Sequence, residues 1–212
     1  MGKRYVRRLL GVAGYTVVRS TNMLVRRGGL LGLEHRPIRT IVDVGANKGQ
    51  YARRLREYLP DAKVYSFEPI PEAFDALRRW ASTQDGMVEA IPAALGENEC
   101  TVSMQCCLDE TRASSMLVAK SHLDERWPRS RPWVIISVPM ATLDGALGGR
   151  KLDEEILVKL DVQGYEDRVI RGGVEILRRA RACILEVCLE DFYKEQANFH
   201  RLHTQLVGLG LQ

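Results

Sequence analysis

From residue 40 onward, apolar and polar positions alternate between two rhythms. Residues 41–44 form a short, mostly apolar run, the mark of a buried strand, interrupted by Asp43. Tyr51, Leu55 and Leu59 then recur at helical spacing, so residues 48–59 are predicted as an amphipathic helix stopped by Pro60. Residues 63–67 give a second strand ending at Glu68. Pro71, a residue suited to a first helical position, opens a helix carrying Phe74, Leu77 and Trp80. Residues 88–91 give a third strand. Strand and helix repeating at this spacing imply right-handed crossovers and a parallel sheet.

Residues 96–140 break the rhythm. Residues 101–107 and 134–138 alternate as strands, and the polar stretch 109–132 between them reads as a long loop or lid where a substrate would be met. The core pattern then resumes. Residues 156–161 are a fourth strand, and Val169, Ile170, Val174 and Leu177 line one helix running through Gly172 and Gly173. Residues 183–187 are a fifth strand around Glu186, and residues 192–206 a last helix. The fold class is therefore α/β with a doubly wound, mostly parallel sheet. The sequence ends at Gln212, where a further strand would be expected. Residues 1–38 are expected to be a basic N-terminal cap, and residues 39–212 one domain with 96–140 as its excursion.

Charge changes this picture only at the N-terminus. Residues 1–39 hold nine lysines and arginines against Glu34 alone, although the whole chain is only +4. That bias allows peripheral contact with a membrane surface through the cap. The chain shows no aromatic and basic platform, which argues against nucleic acid. No apolar run approaches the ~20 residues of a membrane span. Residues 9–18, behind a basic start, contain Gly11, Gly14 and Tyr15 and lack a small-residue cleavage site, so a signal peptide is not expected. Five cysteines, an odd number without CxxC spacing, read as buried reduced thiols of a cytoplasmic protein.

The candidate chemistry sits at two strand ends. In Asp43-Val-Gly45-Ala46-Asn47-Lys-Gly49, two glycines bracket a tight turn between strand and helix, where backbone can approach a ligand. Glu68 ends the second strand, where a carboxylate can accept from ribose hydroxyls. The middle glycine of a dinucleotide turn is missing, and the acid at Asp43 faces a pyrophosphate unfavourably. It suits a cationic ligand instead, such as the sulfonium and ammonium of S-adenosylmethionine. The second block is Lys159-Leu-Asp161-Val-Gln163-Gly-Tyr-Glu166, polar groups at the end of a strand expected beside the first.

Taken in order, Val-Asp-Val-Gly-Ala-Asn-x-Gly at 42–49, Phe-Glu-Pro at 67–69, Ala-Leu-Gly at 94–96, Thr-Leu-Asp at 142–144 and Lys-Leu-Asp-Val-Gln-Gly-Tyr-Glu at 159–166 resemble the FkbM-type S-adenosylmethionine-dependent methyltransferases. The resemblance spans about residues 38–210. It implies a class I methyltransferase, Rossmann-like fold, here without the family's final C-terminal strand pair. It also implies methylation of a hydroxyl on a small molecule or a glycan- or lipid-linked acceptor. Asp43, Gly45, Ala46, Asn47, Gly49, Glu68 and Pro69 then fall in the cofactor-binding set, and Asp161 near the methyl donor. As a base for the acceptor's proton, Asp161 is the first candidate and Glu186 the second. There is no dedicated metal signature. The rival readings are methylation of RNA and a non-catalytic binding protein that keeps the fold.

Overall fold

The computed structural model describes residues 37–108, 111–121 and 133–211, so the expected N-terminal cap, its membrane contact and most of the polar stretch 109–132 lie outside the described residues. In chain order the elements are β1 (Thr40–Val44), α1 (Gln50–Tyr58), β2 (Lys63–Phe67), α2 (Pro71–Ala81), β3 (Val88–Ile91), β4 (Ala94–Leu95), β5 (Cys100–Cys107), β6 (Trp133–Ala141), α3 (Leu143–Gly148), β7 (Ile156–Leu160), α4 (Glu166–Arg171), α5 (Val174–Arg179), β8 (Ala180–Leu185) and α6 (Phe199–Gly208).

The central sheet has the order β3-β2-β1-β7-β8 and is parallel throughout. From β1 the chain first builds one side of the sheet, then crosses back to build the other. The order therefore reverses between β1 and β7, and the carboxyl ends of these two strands flank the topological switch point. Both strands are buried along their whole length, as expected where helices cover both faces. Asp43 is in register with Ser66 on one side and Lys159 on the other, so three polar side chains line up across the middle of the sheet. This row is the polar interruption in an otherwise apolar core of Val42, Val44, Phe67, Val158 and Leu160.

The excursion is more ordered than a lid. β5 and β6 pair antiparallel over their length, and β4 joins β6 in parallel, making a second, three-stranded sheet. Its inner residues Met104, Cys106, Val138 and Met140 pack against Ile70 and Ala73 at the start of α2.

Three element boundaries depart from the sequence pattern. The single helix expected through Gly172 and Gly173 is two, α4 and α5. A Cβ on Gly172 would collide with the carbonyl oxygen of Gly96, so the glycine lets the chain pass close to the end of β4. The last helix begins at Phe199 rather than residue 192, where the Asn198 side chain accepts from the Arg201 N–H and caps it. The fifth strand starts at Ala180 and ends one residue before Glu186. No strand follows β8 among the described residues.

Candidate active site

The turn after β1 is built by left-handed backbone. Gly45, Asn47 and Gly49 have φ of 72°, 50° and 81°. At Gly45 only glycine fits, because a Cβ would run into the carbonyl oxygen of Asp161 at the end of β7. The two strand ends at the switch point are thus in backbone contact. The donors of this turn face inward. The Gly45 and Ala46 N–H groups donate to the Phe67 carbonyl at 3.1 and 2.9 Å. The Asn47 N–H donates to Glu68 Oε2 at 2.8 Å. Three successive amides are therefore committed to β2 and its end, and they do not form a cradle for a phosphate.

Glu68 is the second anchor. It is buried, and its other oxygen accepts from the Ile70 N–H at 2.8 Å. Pro69 lies between these two contacts. Burial pushes the Glu68 carboxyl up to about 7, against the pull of its two backbone donors. Each carboxylate oxygen keeps a further lone pair. Asn47 reaches the other way, donating from Nδ2 to Thr111 Oγ1 at 2.7 Å, and so ties the turn to the excursion.

At the heart of the site lies Lys159. Its Nζ is 3.1 Å from Asp43 Oδ1 and 3.6 Å from Asp161 Oδ2. It also donates to the Val44 and Gly45 carbonyls at 3.2 and 2.9 Å. Burial works against its charge, yet Asp43 and Asp161 beside it hold its pKa above the lysine value. Asp43 itself is fully enclosed, and burial pushes its carboxyl upward against the pull of Lys159. The Tyr51 ring of α1 lies 5.5 Å from the ammonium.

Asp161 is the open carboxylate of this group, with 36% of its side chain exposed. Gln163, held at a left-handed φ of 56°, donates from one amide nitrogen to Asp161 Oδ1 at 2.9 Å and to Glu186 Oε2 at 2.6 Å. Burial disfavours charge on both acids. Lys159, Glu186 and Gln163 nevertheless hold Asp161 below the usual aspartate range. Burial, then the Asp161 charge, pushes Glu186 up to about 8. The two acids are thus pushed in opposite directions, Asp161 toward its charged form and Glu186 toward its neutral one.

A cover reaches this pair from two directions. Ser115 Oγ donates to the Gln163 carbonyl at 2.8 Å. Tyr193 is buried, donates from its hydroxyl to the Ala113 carbonyl at 2.7 Å, and lies 3.5 Å from Gln163 Oε1. Backbone bonds from Lys120 to Phe192 and from Lys194 to Val118, each 2.8 Å, stitch the two segments together. Behind the cover, Glu166 accepts from the Val162 and Gly164 N–H groups and fixes the turn that carries Gln163.

Of the residues singled out from sequence, Asp43, Gly45 and Asp161 meet around Lys159, but Asp43 is fully enclosed and paired with the Lys159 ammonium, so it does not present its charge to a cationic ligand as the sequence suggests; Ala46, Asn47, Gly49, Glu68 and Pro69 frame the turn beside them. Glu186 joins through Gln163. Lys159 and Gln163 stand in the sequence block, but only Lys159 lies in β7; Gln163 is brought back to Asp161 by the left-handed turn after the strand, which strand spacing does not signal. Ser115 and Tyr193 carry no such signal, because they arrive from loops. Among the described residues no cluster of histidine, cysteine and carboxylate side chains could hold a metal ion.

Comparison with known proteins bears on this geometry. The family model described as the methyltransferase FkbM domain matches residues 43–210. The chain is 30% identical over 175 residues to the 2-O-methyltransferase NoeI of Sinorhizobium fredii, covering 79% of this chain and 70% of that protein. It is 28% identical over 161 residues to the methyltransferase sdnD of Sordaria araneosa, covering 62% of this chain and 59% of that protein. The crystal structure of methyltransferase FkbM from Methylobacillus flagellatus superposes with a TM-score of 0.57 at 16% identity, covering 91% of this chain and 42% of that one. The last comparison speaks for the fold alone.

Proposed function

The chain belongs to the family of FkbM methyltransferase domains, and from that premise we propose that it moves a methyl group from S-adenosylmethionine to a hydroxyl oxygen of a sugar or another small metabolite. The single observation that supports this most is the carboxylate pair at the switch point, Asp161 and Glu186 bridged by the Gln163 amide, with Asp161 open to solvent. The 2-O-methyltransferase relative supports oxygen as the acceptor atom.

When bound, the donor supplies an electrophilic methyl on a positively charged sulfur. The glycine turn suits such a ligand better than a nucleotide phosphate, because its amides are already engaged and the nearest open side chain is an anion. Glu68 would hold the ribose, and the Gly45–Gly49 backbone would pass beneath the adenosyl group. Asp161 would lie near the cationic sulfur, which it attracts. In an in-line displacement the acceptor oxygen forms a bond to the methyl carbon as the carbon–sulfur bond breaks. Asp161 would take up the acceptor's proton as the methyl is transferred and the donor leaves as a neutral thioether. Positioning alone can lower such a barrier by about 7–11 kcal/mol. A placed base adds about 10²–10⁴-fold.

The test is methyl transfer from methyl-labelled donor to a panel of glycans, glycolipids and small alcohols. Asp161→Asn is expected to bind S-adenosylhomocysteine and to lose turnover by about 10²-fold or more. A variant that keeps full turnover removes Asp161 from the reaction. The basic N-terminal stretch is further proposed to draw the enzyme to anionic membrane surfaces; co-sedimentation with acidic but not neutral vesicles is the expected result.

A further inference from the structure

The proton acceptor is not held by the cover alone. Lys159, 4% exposed, gathers four oxygens from three pieces of chain: a carboxylate and a carbonyl of β1, the carbonyl of the turn at Gly45, and Asp161 beyond β7. The two carbonyls end the strand just where a ligand would sit, and a Cβ at Gly45 would already touch Asp161's backbone. Donor turn and base are therefore joined twice, once by backbone contact and once by an ammonium.

Building on the assignment of Asp161 as the base, we propose that Lys159 is a positioning residue whose ammonium clamps the donor turn to Asp161, keeping the turn's carbonyls drawn inward and the carboxylate aimed and charged. It touches neither donor nor acceptor in this role. Asp43 is its counter-ion: enclosed in the sheet and in register with it, Asp43 keeps the lysine charged so that the lysine can keep Asp161 charged. The ionisable groups facing this centre are Asp43 from β1, Tyr51 from α1, Glu68 after β2, Glu166 from α4, and Glu186 and Cys188 after β8. Five of these six are acids or thiols that favour a proton on Asp161 when they are charged. Tyr51 acts the same way but stays neutral, because burial and the Asp43 charge raise its pKa, and it offers the cation its ring face instead. Lys159 is the largest influence that opposes them, aided by the hydrogen bonds of Gln163 and Glu186 to Asp161.

The experiment follows the Asp161 carboxyl carbon by 13C NMR in full-length protein, with Asp161→Asn identifying the signal, beside calorimetric titration with S-adenosylhomocysteine. In the wild type the signal is expected to stay flat from about pH 4.5 to 7. In Lys159→Met it should titrate inside that window, and S-adenosylhomocysteine should bind about tenfold more weakly, the loss typical of a hydrogen bond to a charged group. Lys159→Arg should restore the flat signal. A wild-type signal that titrates within the window overturns the proposal, as does a flat signal in folded Lys159→Met. Removing one member of a buried pair can unfold a protein, and in that event the wild-type and Lys159→Arg titrations decide the matter. Should the wild type fail to bind S-adenosylhomocysteine, the donor reading falls, while the carboxyl titration still judges Lys159.

Discussion

At the scale of single residues, the site depends on Gly45 as well as on its charges. Its φ of 72° and its contact with the Asp161 carbonyl both require the missing Cβ. Gly45→Ala should lower stability by about 2–3 kcal/mol, the left-handed strain plus the displacement of a strand end, as read by urea unfolding. A change under about 0.5 kcal/mol would mean that the strand ends part easily. The buried acids make a second claim. Burial pushes Glu166 up to about 7 from 4.5, so the folded state holds its proton more tightly than the unfolded chain does. That contribution is whole below about pH 4.5 and fades as pH rises through 7. Melting temperature should therefore fall between pH 5 and 8, with a smaller fall in Glu166→Gln, whose amide oxygen can still accept from Val162 and Gly164. An identical slope in the variant would place the dependence elsewhere. Asp43 and Gly45 are legible in the sequence from the glycine turn that follows the first strand, and Glu68 from its place at the end of the second. The partner of Asp43 was less so: Lys159 is named in the same block as Asp161, but only the register of two strands far apart in sequence shows that the two charges meet.

At the scale of elements, local pattern placed the strands and failed where tertiary contacts set the boundary. The apolar runs of β1, β2, β3 and β7 were long enough to stand on their own. The helix through residues 166–179 kept its apolar spacing across Gly172 and Gly173, and the spacing hides the break that close passage by Gly96 imposes. In the excursion both strands are legible in the sequence, but their pairing is not. A hairpin whose strands are separated by more than twenty residues lacks the short turn that signals pairing. Its product is a segment, 111–119, laid over Gln163 and pinned by Tyr193 and Ser115. Tyr193→Phe removes one of those pins at about 1 kcal/mol. Amide hydrogen exchange at Val118, Ala119 and Lys120 should then quicken about fivefold while that of β1 and β7 is unchanged. Unchanged exchange in the cover would show that the hydroxyl is not what holds it.

At the scale of the whole molecule, the arrangement is a parallel sheet whose reversal point is lined by one buried cation, one enclosed acid and one open acid, roofed by a second small sheet's return. Each layer has its own place: the central sheet fixes the strand ends, the glycine turn packs against the end of β7, and the cover closes over Gln163. The most direct measurement of the central claim is a crystal structure grown with saturating S-adenosylhomocysteine. The account expects the adenosyl group over the Gly45–Gly49 turn, its ribose at Glu68 and its sulfur turned toward Asp161. Density for the ligand anywhere else, or a switch point left empty at saturation, would contradict it.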